Sequence, residues 1–143
     1  MFPAENKSVV RRYFEQVIDG GKLDVLDEIA SPDCVIHRPE ARQAIRGAAA
    51  FKQALGKILA VYSEFHTTIH DMIAEDDKVV CRLTHEAVHA TDWTSRIGTH
   101  PVAGKPVSWQ AIAAFRLDQG KIAEEWVCRD ELGMLIQLGA LGR

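Results

Sequence analysis

The residues His85-Glu86-Ala87-Val88-His89 spell the pattern H-E-x-x-H. On a helix this spacing puts both imidazoles on one side, where they bind zinc and leave the glutamate as a general base for hydrolysis. The chemistry therefore depends on the element that carries the five residues. Val79, Val80, Thr84 and Val88 favour a strand; a polar turn, Glu75-Asp76-Asp77-Lys78, precedes the segment and a loop follows it. On a strand, His85 and His89 stand about 13 Å apart at ~3.3 Å per residue. One zinc ion, with Zn–N bonds of about 2 Å, cannot bridge them. Glu86 then points to the opposite face. His66 and His70 share the spacing and fail in the same way. Gly98…Gly104-Lys105 is one residue too long for a phosphate loop, and Pro106 stands where Ser or Thr is needed. It reads as a hairpin turn. No metal site and no cofactor is expected.

What remains is a set of single ionisable groups on apolar strand faces. Strict alternation puts Ile122, Glu124, Trp126, Cys128 and Asp130 on one face of the last strand. It puts Trp109, Ala111, Ala113, Phe115 and Leu117 on one face of the strand before it. Val79, Cys81, Leu83, Ala87, His85 and His89 share a face of the segment 79–89. If these faces meet, Leu83, Trp109, Ala113, Phe115, Trp126 and Cys128 line a pocket with His85 and Asp130 inside it. A carboxyl group in such a pocket has its charged form disfavoured, so its pKa rises toward values useful for proton transfer. Asp130 also directly precedes a short helix, where it would serve as an N-cap; both roles stay open. His85 and His37 equally fit hydrogen-bonded strand histidines, and Tyr13 equally fits the core of the first helix. On the opposite faces, Arg82, Glu86, Arg116, Glu125 and Arg129 alternate with Val80, Val88, Ile112, Ala114 and Val127. That apolar share is high for exposed sheet and predicts a homodimer contact.

The elements that position these groups follow from periodicity. Val9, Val10, Tyr13, Phe14, Val17 and Ile18 recur at helical spacing until Gly20-Gly21. Leu23, Leu26 and Ile29 mark a short second helix stopped by Pro32, and Cys34-Val35-Ile36-His37 reads as a strand. The stretch 39–47 is irregular. A third helix over roughly 48–62 carries Phe51, Leu55, Ile58, Leu59 and Tyr62 on its apolar stripe. Strands joined by tight turns then follow, with a long loop over 91–106 and a short closing helix. Helices first and hairpins after predict an α+β fold with a mostly antiparallel sheet packed on N-terminal helices.

The 143 residues suit one domain spanning 1–143. A hydrophobic fraction of 47% with 26% charged residues marks a globular chain. The net charge of −3 offers nucleic acid no basic stripe. No apolar run has the length of a membrane span. The first residues lack a basic region followed by an apolar stretch. Cys34, Cys81 and Cys128 are odd in number and widely spaced, which predicts free thiols and a cytoplasmic setting.

Two stretches carry a resemblance. The segment NKSVVRRYFEQVIDGGKLDVLDEIASPDCVIH and the ending Gly-Lys-Ile…Glu-x-Trp-x-x-x-Asp-x-x-Gly…Gln-Leu-Gly resemble SnoaL-like polyketide cyclases, within the NTF2-like and ketosteroid isomerase-like superfamily. The resemblance implies a curved antiparallel sheet wrapped on helices as a cone with an inner pocket. It implies a hydrophobic small-molecule substrate and an intramolecular aldol closure without metal or cofactor. It casts Asp130 as the acid/base, His37 and His85 as hydrogen-bond partners of the charged oxygens, and Tyr13 as pocket wall. The isomerase branch fits less well: His37 and Ala113 stand at its two carboxyl positions, and Tyr13 alone matches. The Asp-Arg-Asp relay of related epoxide hydrolases is opposed by adjacent Arg129 and Asp130, which face opposite ways on a strand. A non-catalytic binding protein with the same pocket is the alternative.

Overall fold

The computed structural model describes residues 3–39 and 41–141, so Met1, Phe2, Glu40, Gly142 and Arg143 of the expected 1–143 domain lie outside the described residues. Helix α1 (Pro3–Arg12) runs into a π-helical stretch, Tyr13–Asp19. Tyr13, Phe14, Val17 and Ile18 are all buried there, a broad apolar face suited to a widened coil. Gly21 adopts φ +69° and ends the helix. A 3₁₀ turn (Leu23–Val25) leads into α2 (Leu26–Ile29) and β1 (Ala30–His37). β1 begins earlier than expected and runs through Pro32, where its pairing with the last strand is interrupted. β2 (Ile45–Arg46) and α3 (Ala48–Leu59) follow.

The strand half comprises β3 (Tyr62–Glu75), β4 (Lys78–His89), β7 (Pro106–Asp118) and β8 (Lys121–Arg129), closed by α4 (Glu131–Gln137). The expected loop over 91–106 holds a small hairpin, β5 (Trp93–Ser95) and β6 (Gly98–His100). Tyr62 opens β3 rather than continuing α3. The strand order β2-β1-β8-β7-β4-β3 is antiparallel except for the parallel pair β1–β8, and the curved sheet does not close into a barrel. The α+β architecture is as the periodicity predicts.

The H-E-x-x-H segment lies within β4, with His85 paired to Thr67 and His89 to Tyr62. Its inner residues Val79, Cys81, Leu83, His85, Ala87 and His89 are buried and Glu86 is exposed, as strand alternation requires.

β8 departs from simple alternation. Leu117 pairs with Ile122 but Arg116 pairs with Glu124, so Ala123 is an extra residue. This bulge reverses the phase of everything after it. Glu125, Val127 and Arg129 therefore turn to the inner face, opposite Phe115, Ala113 and Ala111. Trp126 and Cys128 turn outward and are exposed. The main core joins the first helix, α3 and the concave sheet through Tyr13, Phe14, Phe51, Leu55, Leu83 and Phe115. A second cluster packs α4 and the β5–β6 hairpin on Tyr62, Val107 and Trp109. Among the described residues no helix is long and apolar enough to cross a membrane.

Candidate functional site

The concave sheet face and the helices enclose a cavity of about 70 Å³. Tyr13, Phe14 and Ile18 come from the first helix, Leu55, Ile58 and Leu59 from α3. Phe65, Leu83, His85 and Trp109 form the sheet wall. The small residues Ala111 and Ala113 on β7 leave room beside Val127 and Arg129. A wider mouth of about 400 Å³ shares Arg38, Ile58 and Arg129 with the cavity and adds Lys57, Tyr62, Asp92 and Trp93.

Five polar side chains enter this apolar space. Glu125 is 1% exposed, and its Oε1 accepts from Arg38 Nη2 at 3.2 Å. Burial pushes the Glu125 carboxyl up, and Arg38 opposes the shift. Burial also raises the Tyr13 phenol far above its ordinary value; Glu125 adds to this and Arg38 opposes it. Tyr13 is therefore a neutral hydroxyl. A guanidinium accepts nothing, so the Tyr13 hydrogen is not spent on Arg38, whose charge opposes the shift. Arg129 meets Glu131 at 3.5 Å; burial raises the Tyr62 phenol and the Arg129 charge opposes that shift.

His85 is buried, and burial pushes its imidazole down to about 4, with Arg129 and then Arg38 adding to the shift. The ring is neutral at ordinary pH. Its Nδ1 lies 2.8 Å from Thr67 Oγ1, its partner across the β3–β4 ladder. Thr67 in turn donates its hydroxyl to Asp19 Oδ1 at 2.7 Å and its backbone N–H to Asp19 Oδ2 at 3.0 Å. β3 is the sheet edge, and Asp19, last residue of the π-helical stretch, caps that edge N–H.

Of the sequence candidates, Tyr13, Leu83, His85, Trp109 and Ala113 share the cavity wall. Phe115 lies behind it, with its ring centroid 5.7 Å from that of Tyr13. His37, Trp126 and Cys128 do not reach the cavity. His37 Nε2 bonds Glu124 Oε2 at 2.6 Å on the convex face and stacks on Trp126. The Ala123 bulge is the reason for Trp126 and Cys128: without it their side chains would point inward. Asp130 is exposed; it follows the end of β8 and accepts the Gly133 N–H at 2.9 Å as the N-cap of α4. Glu125, Val127 and Arg129, expected on the dimer face, are the β8 residues that line the cavity. His89 is fully buried against Tyr62 and Trp93.

The model of SnoaL-like polyketide cyclases matches residues 8–138. The chain belongs to this family. TsrD from Streptomyces laurentii superposes with a TM-score of 0.83 at 23% identity, covering 99% of each chain. IdmH from Streptomyces antibioticus, a proposed polyketide cyclase, gives 0.80 at 24% identity over 94% of this chain and 98% of its own. AclR from Streptomyces galilaeus, a proposed hydroxylase, gives 0.78 at 23% identity over 98% and 99%. At these identities the likeness is one of fold, the NTF2-like fold. No curated protein matches the chain.

In this SnoaL-like chain the groups that sequence reasoning missed are Asp19, Thr67, Arg38, Glu125 and Arg129. The consecutive apolar pair Ile122-Ala123 before Glu124-Glu125 was the available signal for a phase change in β8. Nothing in the sequence links Asp19 to Thr67, 48 positions away.

Proposed function

We propose that the chain is an acid/base catalyst acting on a hydrophobic, carbonyl-bearing small molecule without a cofactor, with intramolecular aldol closure as its reaction. The observation that carries this reading is that His85 and Tyr13 line one largely apolar cavity; burial lowers the imidazole and raises the phenol, which favours the neutral form of each. His85 Nε2 takes a proton from the carbon beside a carbonyl. The Tyr13 hydroxyl, with Arg38 behind it, donates to the oxygen that gains charge. The enolate carbon attacks a second carbonyl of the same molecule, and the imidazolium returns the proton to the new alkoxide. Bonds and protons balance with no oxidant. Burial makes the imidazolium strongly acidic, which favours fast return of the proton. At about 70 Å³ the cavity takes the reacting end, and the rest of the substrate occupies the mouth.

The test is α-proton exchange into D₂O on a hydrophobic 1,5-diketone, followed by NMR. The wild type should catalyse exchange. His85→Gln should slow it by about 10²–10⁴, and exchange at full rate in that variant would remove the reading. The low basicity of His85 favours one alternative, binding without turnover. A diketone that binds yet shows no exchange identifies that case. The proposal includes a homodimer joined through the convex sheet face, and a cytoplasmic setting. Exposed Ile73, Val80, Ile112 and Trp126 on the sheet support the dimer.

A further inference from the structure

The hydrogen-bond chain behind His85 has only one consistent direction. Thr67 donates both of its contacts to Asp19, its backbone N–H to Oδ2 and its hydroxyl to Oδ1. A hydroxyl has a single hydrogen. With that hydrogen on Asp19, Thr67 Oγ1 faces His85 Nδ1 at 2.8 Å with lone pairs only. The imidazole must then carry its hydrogen on Nδ1. A neutral ring carries one N–H, so Nε2 is left with a lone pair. Among the described residues Nε2 has no hydrogen-bond partner, and His85 lines the cavity.

We infer that Asp19 and Thr67 are positioning residues that lock His85 in the Nδ1–H tautomer, so that the cavity presents an obligatory proton acceptor and selects ligands with a polarised donor, a phenol or enol O–H or an acidic C–H beside a carbonyl. The device is built from parts distant in sequence. The β3–β4 register sets Thr67 opposite His85, and the π-helical stretch delivers Asp19 to the sheet edge. Asp19 holds Thr67 by two bonds, which prevents the hydroxyl from turning to donate to the ring. The ligand class rests on the cavity being the ligand site, as proposed above. The tautomer does not.

The two parts are therefore tested separately. Long-range ¹H–¹⁵N correlation on ¹⁵N-histidine-labelled protein near neutral pH should show His85 with a protonated Nδ1 and an unprotonated Nε2. A protonated Nε2 in the wild type overturns the inference outright. Asp19→Asn offers a sharper check. Its amide oxygen still suits the Thr67 backbone N–H, which leaves its NH₂ facing Thr67 Oγ1. The hydroxyl hydrogen is then released toward His85, and the tautomer should switch to Nε2–H. Thr67→Ser should retain the wild-type tautomer, whereas Thr67→Val should lose the preference. An unchanged tautomer in both Asp19→Asn and Thr67→Val would show that the relay has no such role. For the ligand class the probes are phenol and its methyl ether, followed by the His85 Nε2 shift. Phenol should move that shift and bind about ten-fold tighter than the ether, the worth of one hydrogen bond. Equal binding of the two rejects the ligand class, and binding of neither rejects the cavity as the site; the tautomer result stands in both cases.

Discussion

Asp130 shows how one residue type at one position can serve two different ends. Its carboxylate accepts the Gly133 N–H, and a Cβ at position 133 would collide with that carboxylate. Capping thus accounts for the spacing Asp130-x-x-Gly133 without any catalysis. Asp130→Ala should lower stability by about 1 kcal/mol, whereas Asp130→Asn, a comparable cap, should change it by only a few tenths. Urea unfolding midpoints measure both. Asp130→Asn should also leave α-proton exchange intact. Loss of exchange in a fully stable Asp130→Asn protein would return the acid/base role to this residue in spite of its place. His85 is the contrasting case. Its surroundings were legible as a half-apolar strand face, but its tautomer follows from Thr67 and Asp19, which no local pattern connects to it.

At the scale of elements, the β8 bulge decides which charges enter the molecule. Regular alternation would bury Trp126 and Cys128 and expose Glu125 and Arg129. One additional residue, Ala123, does the reverse. The small side chains of Ala111 and Ala113 on β7 accommodate Arg129 and Val127; two aligned large residues there would close the cavity. Deleting Ala123 should leave Ile122 opposite Leu117 and Glu124 opposite Arg116 on a regular ladder, so Glu125 keeps its inward face and Arg38 as its partner while Trp126 stays outside. The expected outcome is cooperative unfolding in denaturant with dispersed methyl NMR signals retained. Loss of both in the deletion variant would mean that Ala123 is not the residue that sets this phase. The π-helical stretch does comparable work on the opposite side of the cavity, where it turns Tyr13 and Phe14 inward and ends with Asp19 against β3.

For the whole molecule, the sheet has two different faces. The concave one is covered by α1, its π-helical continuation and α3. The convex one carries Val80, Ile112 and Trp126, which are 40%, 55% and 38% exposed, on neighbouring central strands. A second copy laid on this face would cover all three at once. Sedimentation velocity at micromolar concentration should show a dimer, and Ile112→Asp, a charge placed in the middle of the patch, should shift it to monomer. A wild-type monomer at that concentration would remove the dimer from the proposal.

The order of elements, the mostly antiparallel sheet and the strand character of the H-E-x-x-H segment were all contained in the sequence. They depend on local periodicity, turn residues and β-branching, which act over a few positions. The inner faces of β4 and β7 were legible for the same reason, since both run without interruption from Val79 to Ala87 and from Val107 to Leu117. Tertiary structure alone decided the polar content of the cavity. A bulge costs the chain one residue of phase and leaves little local mark, yet it exchanged Trp126 for Glu125 inside the molecule. Contacts such as Arg38 with Glu125, and Asp19 with Thr67, join segments 87 and 48 positions apart. They form only when sheet curvature brings those segments together, because hydrogen bonds are selected by distance and direction in space rather than by spacing along the chain.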